Sequence, residues 1–313
     1  MTQPRILQLG RLLPYLEQTL AQRYDVHLLA NEADPKAFLA REGASFSGAV
    51  TNAGLGIDGD TIAALTNLKV ISSFGVGFDK VDLPAARARG IPVGYTPDVL
   101  NDCVADTAFS LVMDVGRGFT ASDRYLRRGD WLKAPFPLAT RISGKKLGIL
   151  GLGRIGNVIA RRASGFDMEV RYHNRRPVEG SPYGYEASLE GLARWADFLV
   201  IAAAGGADTK HLVSREILAA LGPKSFIVNI ARGSVIDEEA LIEALENKTI
   251  GGAGLDVYQD EPRVPERLIA CENAVLYPHL ASATHETRKA MADQVLANLA
   301  SFFETGKVAV AVP

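Results

Sequence analysis

Residues 147–156 read L-G-I-L-G-L-G-R-I-G. The run Leu147–Leu150 is continuously apolar, as suits a strand buried on both faces of a parallel sheet. Gly151 to Gly156 then spell G-x-G-x-x-G, and Ile155, Val158 and Ile159 recur at i, i+3 and i+4, the spacing of one helix face. In a chain with 30 glycines among 313 residues the six-residue pattern alone is weak. Between a strand and a helix it becomes specific, because each glycine acquires a reason. Gly151 makes the tight turn, Gly153 lets the backbone approach a pyrophosphate, and Gly156 lets helix and strand pack closely. The helix N-terminus adds free N–H groups and a partial positive charge for phosphates. A glycine-rich turn without a ligand is the plainer alternative.

The alternation of apolar runs with helical patterns extends outward in both directions. Upstream, Ile6–Leu9, Val26–Leu29, Gly48–Thr51, Val70–Ser73 and Ile91–Gly94 read as strands, with helical stretches near 12–22, 35–42, 60–66 and 83–89. Downstream, Leu147–Leu150, Met168–Tyr172, Phe198–Ala202, Phe226–Ile230, Ala253–Val257 and Ala274–Tyr277 form a second series. Strands alternating with helices predict parallel sheets covered on both faces, here two α/β lobes of about five and six strands. The length agrees, at roughly 100–200 residues per domain. A long apolar helix near 102–116 separates the series, followed by an irregular basic stretch from Gly118 to Gly144 that holds Trp131, Pro135, Phe136 and Pro137. At the far end Thr284 is placed to cap a helix with Glu286 in its first turn and an apolar stripe of Val295, Leu296, Leu299, Phe302 and Phe303.

Composition excludes several classes. The chain is 47% hydrophobic and 22% charged, which argues against disorder. Its 34 Lys and Arg nearly cancel 36 Asp and Glu, so a net charge of -2 gives no global field for a nucleic acid or an anionic membrane. Cys103 and Cys271 match no disulfide framework and no metal spacing, so no metal is expected. No run approaches the roughly 20 apolar residues of a membrane span. Arg11 and Pro14 interrupt the N-terminal apolar run before a signal-peptide core forms, so a cytoplasmic protein is expected.

The end of the strand after the glycine loop decides which dinucleotide fits. A site for NAD carries Asp or Glu about 20 residues after the glycines, to bond the ribose hydroxyls. Here Met168–Tyr172 runs into H-N-R-R, His173 to Arg176, with no acid at the tip. Arg175 and Arg176 present guanidinium forks suited to a 2′-phosphate, so NADP(H) is expected over NAD(H). Solvated surface arginines are the alternative.

Three further residues stand just beyond predicted strands, where an open α/β sheet binds its ligands. Arg232 lies in N-I-A-R-G (229–233), Glu261 in L-D-V-Y-Q-D-E-P (255–262) and His279 in Y-P-H-L-A-S (277–282). Reduction of a 2-oxo acid by hydride transfer needs each type. Histidine is the side chain that titrates nearest neutrality and can protonate the carbonyl oxygen. A neighbouring carboxylate fixes its tautomer, and an arginine can bind the substrate carboxylate and polarise the carbonyl. Read singly, each has a bland alternative: a satisfied strand-end histidine, a turn residue before Pro262, a surface charge.

These motifs, with S-F-G-V-G-F-D-K-V-D (73–82), T-P-D-V-L-N-D-C-V-A-D (96–106), N-I-A-R-G-S-V-I-D-E-E-A-L, G-A-G-L-D-V-Y-Q-D-E-P and P-H-L-A-S-A-T, resemble the D-isomer-specific 2-hydroxyacid dehydrogenase family over nearly the whole chain and in the family's order. The N-R-R cluster and E-P-R-V-P-E (261–266) are most similar to its glyoxylate/hydroxypyruvate and hydroxyphenylpyruvate reductase branch.

The resemblance implies two Rossmann-like/flavodoxin-like lobes with the active site in the cleft between them. It implies a substrate-binding lobe of residues 1–98 plus 284–313 and an NADP-binding lobe of residues 99–283. It makes His279 the acid/base, Glu261 its partner and Arg232 the substrate-orienting group. It assigns the substrate carboxylate to the N–H groups of Val76 and Gly77, with Leu55 near the substrate. It places Arg154 and Ile155 on the pyrophosphate beside the three glycines, and Asp256 near the nicotinamide amide. Asn174, Ile230 and Ser282 join Arg175 and Arg176 as expected cofactor residues. A homodimer is implied, with Trp131 on an arm that contacts the partner; packing of Trp131 on its own lobe is the alternative. The loop A-A-G-G-A-D-T (203–209) departs from the Cys-Pro or Pro-Leu turn of many relatives, so no cofactor contact is assigned there. The expected activity is NADPH-dependent reduction of glyoxylate and hydroxypyruvate. Reduction of bulkier acids such as hydroxyphenylpyruvate, and a nucleotide-sensing regulatory protein on the same fold, are the alternatives.

Overall fold

In the computed structural model, which describes residues 3–313, the chain forms two units. Residues 1 and 2, the start of the expected first lobe, lie outside the described residues. One unit comprises the chain up to Leu100 together with Ala283–Pro313; the other is Asn101–Ser282.

The first unit is a five-stranded parallel sheet, ordered β2-β1-β3-β4-β5, from β1 (Arg5–Gln8), β2 (Asp25–Leu28), β3 (Gly48–Asn52), β4 (Val70–Phe74) and β5 (Val93–Gly94). That is the flavodoxin-like order, in which the crevice for ligands opens between β1 and β3. The helices between are started by the sequence itself. Asp34, Asp58 and Asp82 precede α2 (Pro35–Glu42), α3 (Gly59–Ala64) and α4 (Leu83–Ala88), and accept the N–H of Ala37, Thr61 and Ala85 at 3.0, 2.7 and 2.9 Å. Pro14 opens α1 (Pro14–Arg23), where its missing N–H costs nothing. The last helix, His285–Thr305, returns to this sheet. Ser72 Oγ donates to the Val295 carbonyl at 3.3 Å, and buried Asn298 bonds the Tyr95 carbonyl and the Val310 N–H at 3.1 and 2.9 Å.

The second unit carries seven strands, all parallel: β6 (Lys146–Leu150), β7 (Glu169–His173), β8 (Gly184–Tyr185), β9 (Phe198–Ile201), β10 (Phe226–Asn229), β11 (Gly252–Leu255) and β12 (Ala274–Leu276). Their order, β12-β11-β10-β9-β6-β7-β8, is the doubly wound dinucleotide-binding order with one strand added. The reversal falls between β6 and β9, so the ligand crevice lies over the carboxyl ends of those strands. β9 and β10 are buried at every residue, which explains why β9 is apolar throughout and β10 is apolar up to its closing Asn229.

Two expectations need correction. The second sheet has seven strands rather than six: β8 is two residues long, paired as Arg171 with Gly184 and Tyr172 with Tyr185, too short for any periodicity to show. The stretch 118–144 is not irregular throughout, because it opens with helix α6 (Phe119–Arg127), following α5 (Asn101–Arg117). Gly118 turns the chain at φ +67, and the buried Asp114 carboxylate accepts the Thr120 N–H at 2.8 Å, so α6 starts from a cap that sits four residues inside α5.

Candidate active site

Helix α7 (Arg154–Ala163) begins directly after the glycine loop, with Gly153 as its cap. A methyl on Gly151, whose φ is +100, would stand 2.6 Å from Ala203 N, and one on Gly156 would overlap the Gly151 carbonyl oxygen. Gly153 faces open space. Two glycines are thus required by packing and the third leaves its backbone approachable, which is what a bound pyrophosphate needs. Asn174 steadies this loop: its Oδ1 accepts the Leu152 N–H at 2.7 Å. Arg175 and Arg176 are exposed beyond it, with Arg175 Nη1 3.5 Å from Asp208. The cradle and the positive helix end fit the pyrophosphate of a dinucleotide.

Arg232, Glu261 and His279 stand beyond the ends of β10, β11 and β12. After β10 the buried Asn229 clamps the turn, its Oδ1 accepting the Ala231 N–H at 3.0 Å and its Nδ2 donating to the Arg232 carbonyl at 2.9 Å. After β11, Asp256 is wholly buried and accepts two backbone bonds, from Leu280 at 2.7 Å and Ala281 at 3.0 Å. Those bonds draw the segment beyond β12 onto the end of β11. Burial drives the Asp256 carboxyl above its usual value, against the pull of the two N–H groups.

His279 lies immediately before the anchored residues, with φ +51. That left-handed conformation is uncommon for a side-chain-bearing residue and is sustained here by the bonds that follow it. Its Nδ1 meets Glu261 Oε2 at 2.7 Å, while Glu261 Oε1 accepts the Tyr258 N–H at 3.0 Å. The Tyr258 hydroxyl donates in turn to the Tyr277 carbonyl at 2.8 Å, tying the two loops together. Burial would raise the Glu261 carboxyl, but the bond and charge of His279, the Tyr258 N–H and the Arg232 charge together hold it below the usual carboxylate value. A carboxylate at Nδ1 leaves Nε2 as the nitrogen available for chemistry.

In the first unit the switch point between β1 and β3 is formed by Gly10 and Leu55. Leu55 is half-exposed, and a methyl on Gly10 would stand 2.8 Å from its Cδ2. One strand over, Gly75 turns at φ +142 and donates to Thr96 Oγ1 at 3.0 Å, whereas the next two N–H groups, of Val76 and Gly77, have no acceptor among the described residues. Consecutive free N–H groups of this kind suit an anion.

The structure therefore gathers Arg232, Glu261 and His279 on adjacent strand ends of one unit, and Leu55, Val76 and Gly77 on adjacent strand ends of the other. Buried Ile230 follows β10, and half-buried Ser282 follows the anchored Ala281. Trp131 stands apart on the arm beyond α6, exposed with Leu132 and Leu138. Sequence reasoning missed the clamp role of Asn229 and the anchoring role of Asp256. Both signals were present as a polar residue closing an apolar strand.

Comparison with known proteins agrees with this geometry. The profile described as "D-isomer specific 2-hydroxyacid dehydrogenase, NAD binding domain" matches residues 109–281. The chain is 44% identical to the hydroxyphenylpyruvate reductase of Plectranthus scutellarioides and 42% identical to glyoxylate/hydroxypyruvate reductase A of Arabidopsis thaliana, with 95% of each chain covered in both cases. It is similar to the crystal structure of the NADPH-dependent glyoxylate/hydroxypyruvate reductase of Sinorhizobium meliloti in complex with NADP and malonate: TM-score 0.94, 40% identity, 99% of this chain and 97% of that one. A likeness this long and this close, over strands whose ends carry a paired histidine and carboxylate, makes the chain a member of the D-isomer specific 2-hydroxyacid dehydrogenase family, NAD(P)-dependent oxidoreductases that act on CH–OH donors.

Proposed function

We propose that the protein reduces small 2-oxo acids with NADPH, glyoxylate to glycolate and hydroxypyruvate to D-glycerate foremost. The observation that carries this reading is the 2.7 Å pairing of His279 Nδ1 with Glu261, within reach of the Arg232 charge. The nicotinamide, when bound, supplies the hydride that the carbonyl carbon receives. His279 supplies the proton: with Nδ1 given to Glu261, Nε2 delivers it to the carbonyl oxygen. Glu261 stays ionised and fixes the tautomer. Arg232 binds the substrate carboxylate and polarises the carbonyl. The N–H groups of Val76 and Gly77 receive a carboxylate, and Leu55 borders the substrate's side chain. Gly151, Gly153, Arg154, Ile155 and Gly156 hold the pyrophosphate, Asn174, Arg175 and Arg176 the 2′-phosphate end, and Ile230 and Ser282 the nicotinamide end. Asp256 serves that end by fixing the backbone of Leu280 and Ala281.

The test is an activity panel at 340 nm with glyoxylate, hydroxypyruvate, pyruvate and hydroxyphenylpyruvate, each with NADPH and NADH. Rapid NADPH consumption with the two smallest hydroxylated or aldehydic acids supports the reading. Binding of NADPH without turnover on any of the four sinks it in favour of a nucleotide sensor. A second reading, preference for hydroxyphenylpyruvate, is supported by the 44% identity to a relative of that name, and the same panel decides it.

We further propose a homodimer joined through the arm that bears Trp131, and a cytoplasmic location. Cys103 and Cys271 form no disulfide, which suits a reducing compartment. Among the described residues no helix is long and apolar enough to cross a membrane.

A further inference from the structure

We infer that Gly205 is a positioning residue for Arg232: its missing side chain leaves the space in which the arginine stem lies. This rests on the assignment of Arg232 to the substrate carboxylate and adds what sets its reach. A methyl on Gly205 would stand 2.6 Å from Arg232 Cγ, 3.3 Å from Cβ and 3.6 Å from Cδ. Carbon atoms settle at about 3.5–4.0 Å, so the stem would have to retreat by about 1 Å. Backbone strain does not explain this glycine, since Gly205 is not among the residues of positive φ. Its neighbour Gly206 is the reverse case, at φ +146 with open space around it. The contact with Arg232 is the reason left for glycine at 205.

The loop cannot simply give way. Ala202 N–H donates to the Leu150 carbonyl at 2.8 Å, and the Ala203 backbone runs so close to Gly151 that a methyl there would strike it. On the far side Thr209 Oγ1 donates to the Ala204 carbonyl at 2.8 Å. Nor can the backbone of Arg232 retreat. Asn229 holds its carbonyl, and a methyl on Gly233 would overlap the Tyr258 carbonyl carbon. With both backbones held, a side chain at 205 moves the guanidinium. A misplacement of about 1 Å at a substrate-positioning group costs up to about 10²-fold in rate. The loop 203–209 thereby sets where the substrate carboxylate is held.

The experiment is Gly205→Ala, alone and combined with Arg232→Ala, on the full chain. In the single variant KM for hydroxypyruvate and Ki for oxamate rise about tenfold or more, while NADPH Kd by nucleotide fluorescence stays within about twofold. Tm gives a readout independent of activity. Gly205→Ala lowers it by about 3 °C or more in the parent and by about 1 °C or less in the Arg232→Ala background, where the Cγ it strikes is gone. An equal loss of Tm in both backgrounds, or an unchanged KM and Ki, overturns the inference. If Arg232→Ala itself leaves KM and kcat unchanged, the reading of Arg232 fails, while the Tm comparison still decides the contact.

Discussion

The imidazole Nδ1 of His279 faces the carboxylate Oε2 of Glu261 at 2.7 Å, and the two residues reach each other from different strand ends, 18 positions apart. Nothing local brings them together. Asp256 does so by pinning Leu280 and Ala281, and Tyr258 by linking its own loop to Tyr277. The pair is thus preset by a buried carboxylate and a buried phenol before any substrate arrives.

His279→Gln keeps the size of the side chain and removes the proton that moves. We expect kcat to fall by about 10²- to 10⁴-fold, the range for loss of a general acid. NADPH binding, read by fluorescence, should stay near the parent value. An unchanged kcat would remove His279 from the mechanism.

Glu261 makes stability depend on pH with a definite sign. Its folded pKa lies below its unfolded value of about 4.3. The native state therefore binds the proton less well, and Glu261 contributes stability above the unfolded pKa that is lost as pH falls through the folded one. Thermal unfolding of the parent and of Glu261→Gln should differ most near neutrality, and the curves should converge below pH of about 4. Curves that stay parallel to low pH would contradict the cause assigned to this shift.

Asp256→Ala leaves the N–H groups of Leu280 and Ala281 without their acceptor. Each unsatisfied buried group costs about 1–3 kcal/mol, so with two acceptors lost a decrease of about 2–6 kcal/mol is expected in denaturant unfolding. The positive φ of His279 should relax as well, and kcat should fall with the fold intact. A variant that loses stability but retains full kcat would show that the anchor does not set the imidazole.

The strands, the glycine turn and the strand-end positions of Arg232, Glu261 and His279 were legible because burial and tight turns leave local patterns. Leu147–Leu150 is apolar throughout because both of its faces are covered. The role of Asp256 was not legible, because its partners lie 24 and 25 positions away. Helix α6 was hidden by its cap, which comes from Asp114 inside the preceding helix rather than from a residue at its own start. Gly205 reads in sequence as one more loop glycine, and only the stem of Arg232 beside it gives it a reason.

Arg175 and Arg176 stand exposed beyond β7 with no acid at the strand tip. Replacing both with serine removes two positive charges from the place expected for the 2′-phosphate. The kcat/KM for NADPH should fall by about 10-fold or more, with that for NADH changing by less than about threefold. The carboxylate of Asp208, 3.5 Å from Arg175, would oppose a phosphate once the arginines are gone, so the loss should deepen at low salt. A parent enzyme that prefers NADH would end the assignment of both arginines.

The arm beyond α6 leaves Trp131 66%, Leu132 92% and Leu138 fully exposed, with Phe119 and Leu126 about half-exposed on the helix before it. So much large apolar surface on one segment is unusual for a monomer and marks an interaction site. A second copy of the chain is the occupant expected here. Light scattering should give about twice the chain mass of 33.5 kDa. Leu132→Asp combined with Leu138→Asp places two charges on that surface, where burial without a partner is costly, and should shift the mass toward one chain. Both side chains are bare in the isolated chain, so monomer stability should change little. A parent protein that scatters as a single chain would refute the dimer, and a double variant that remains dimeric would move the interface off the arm.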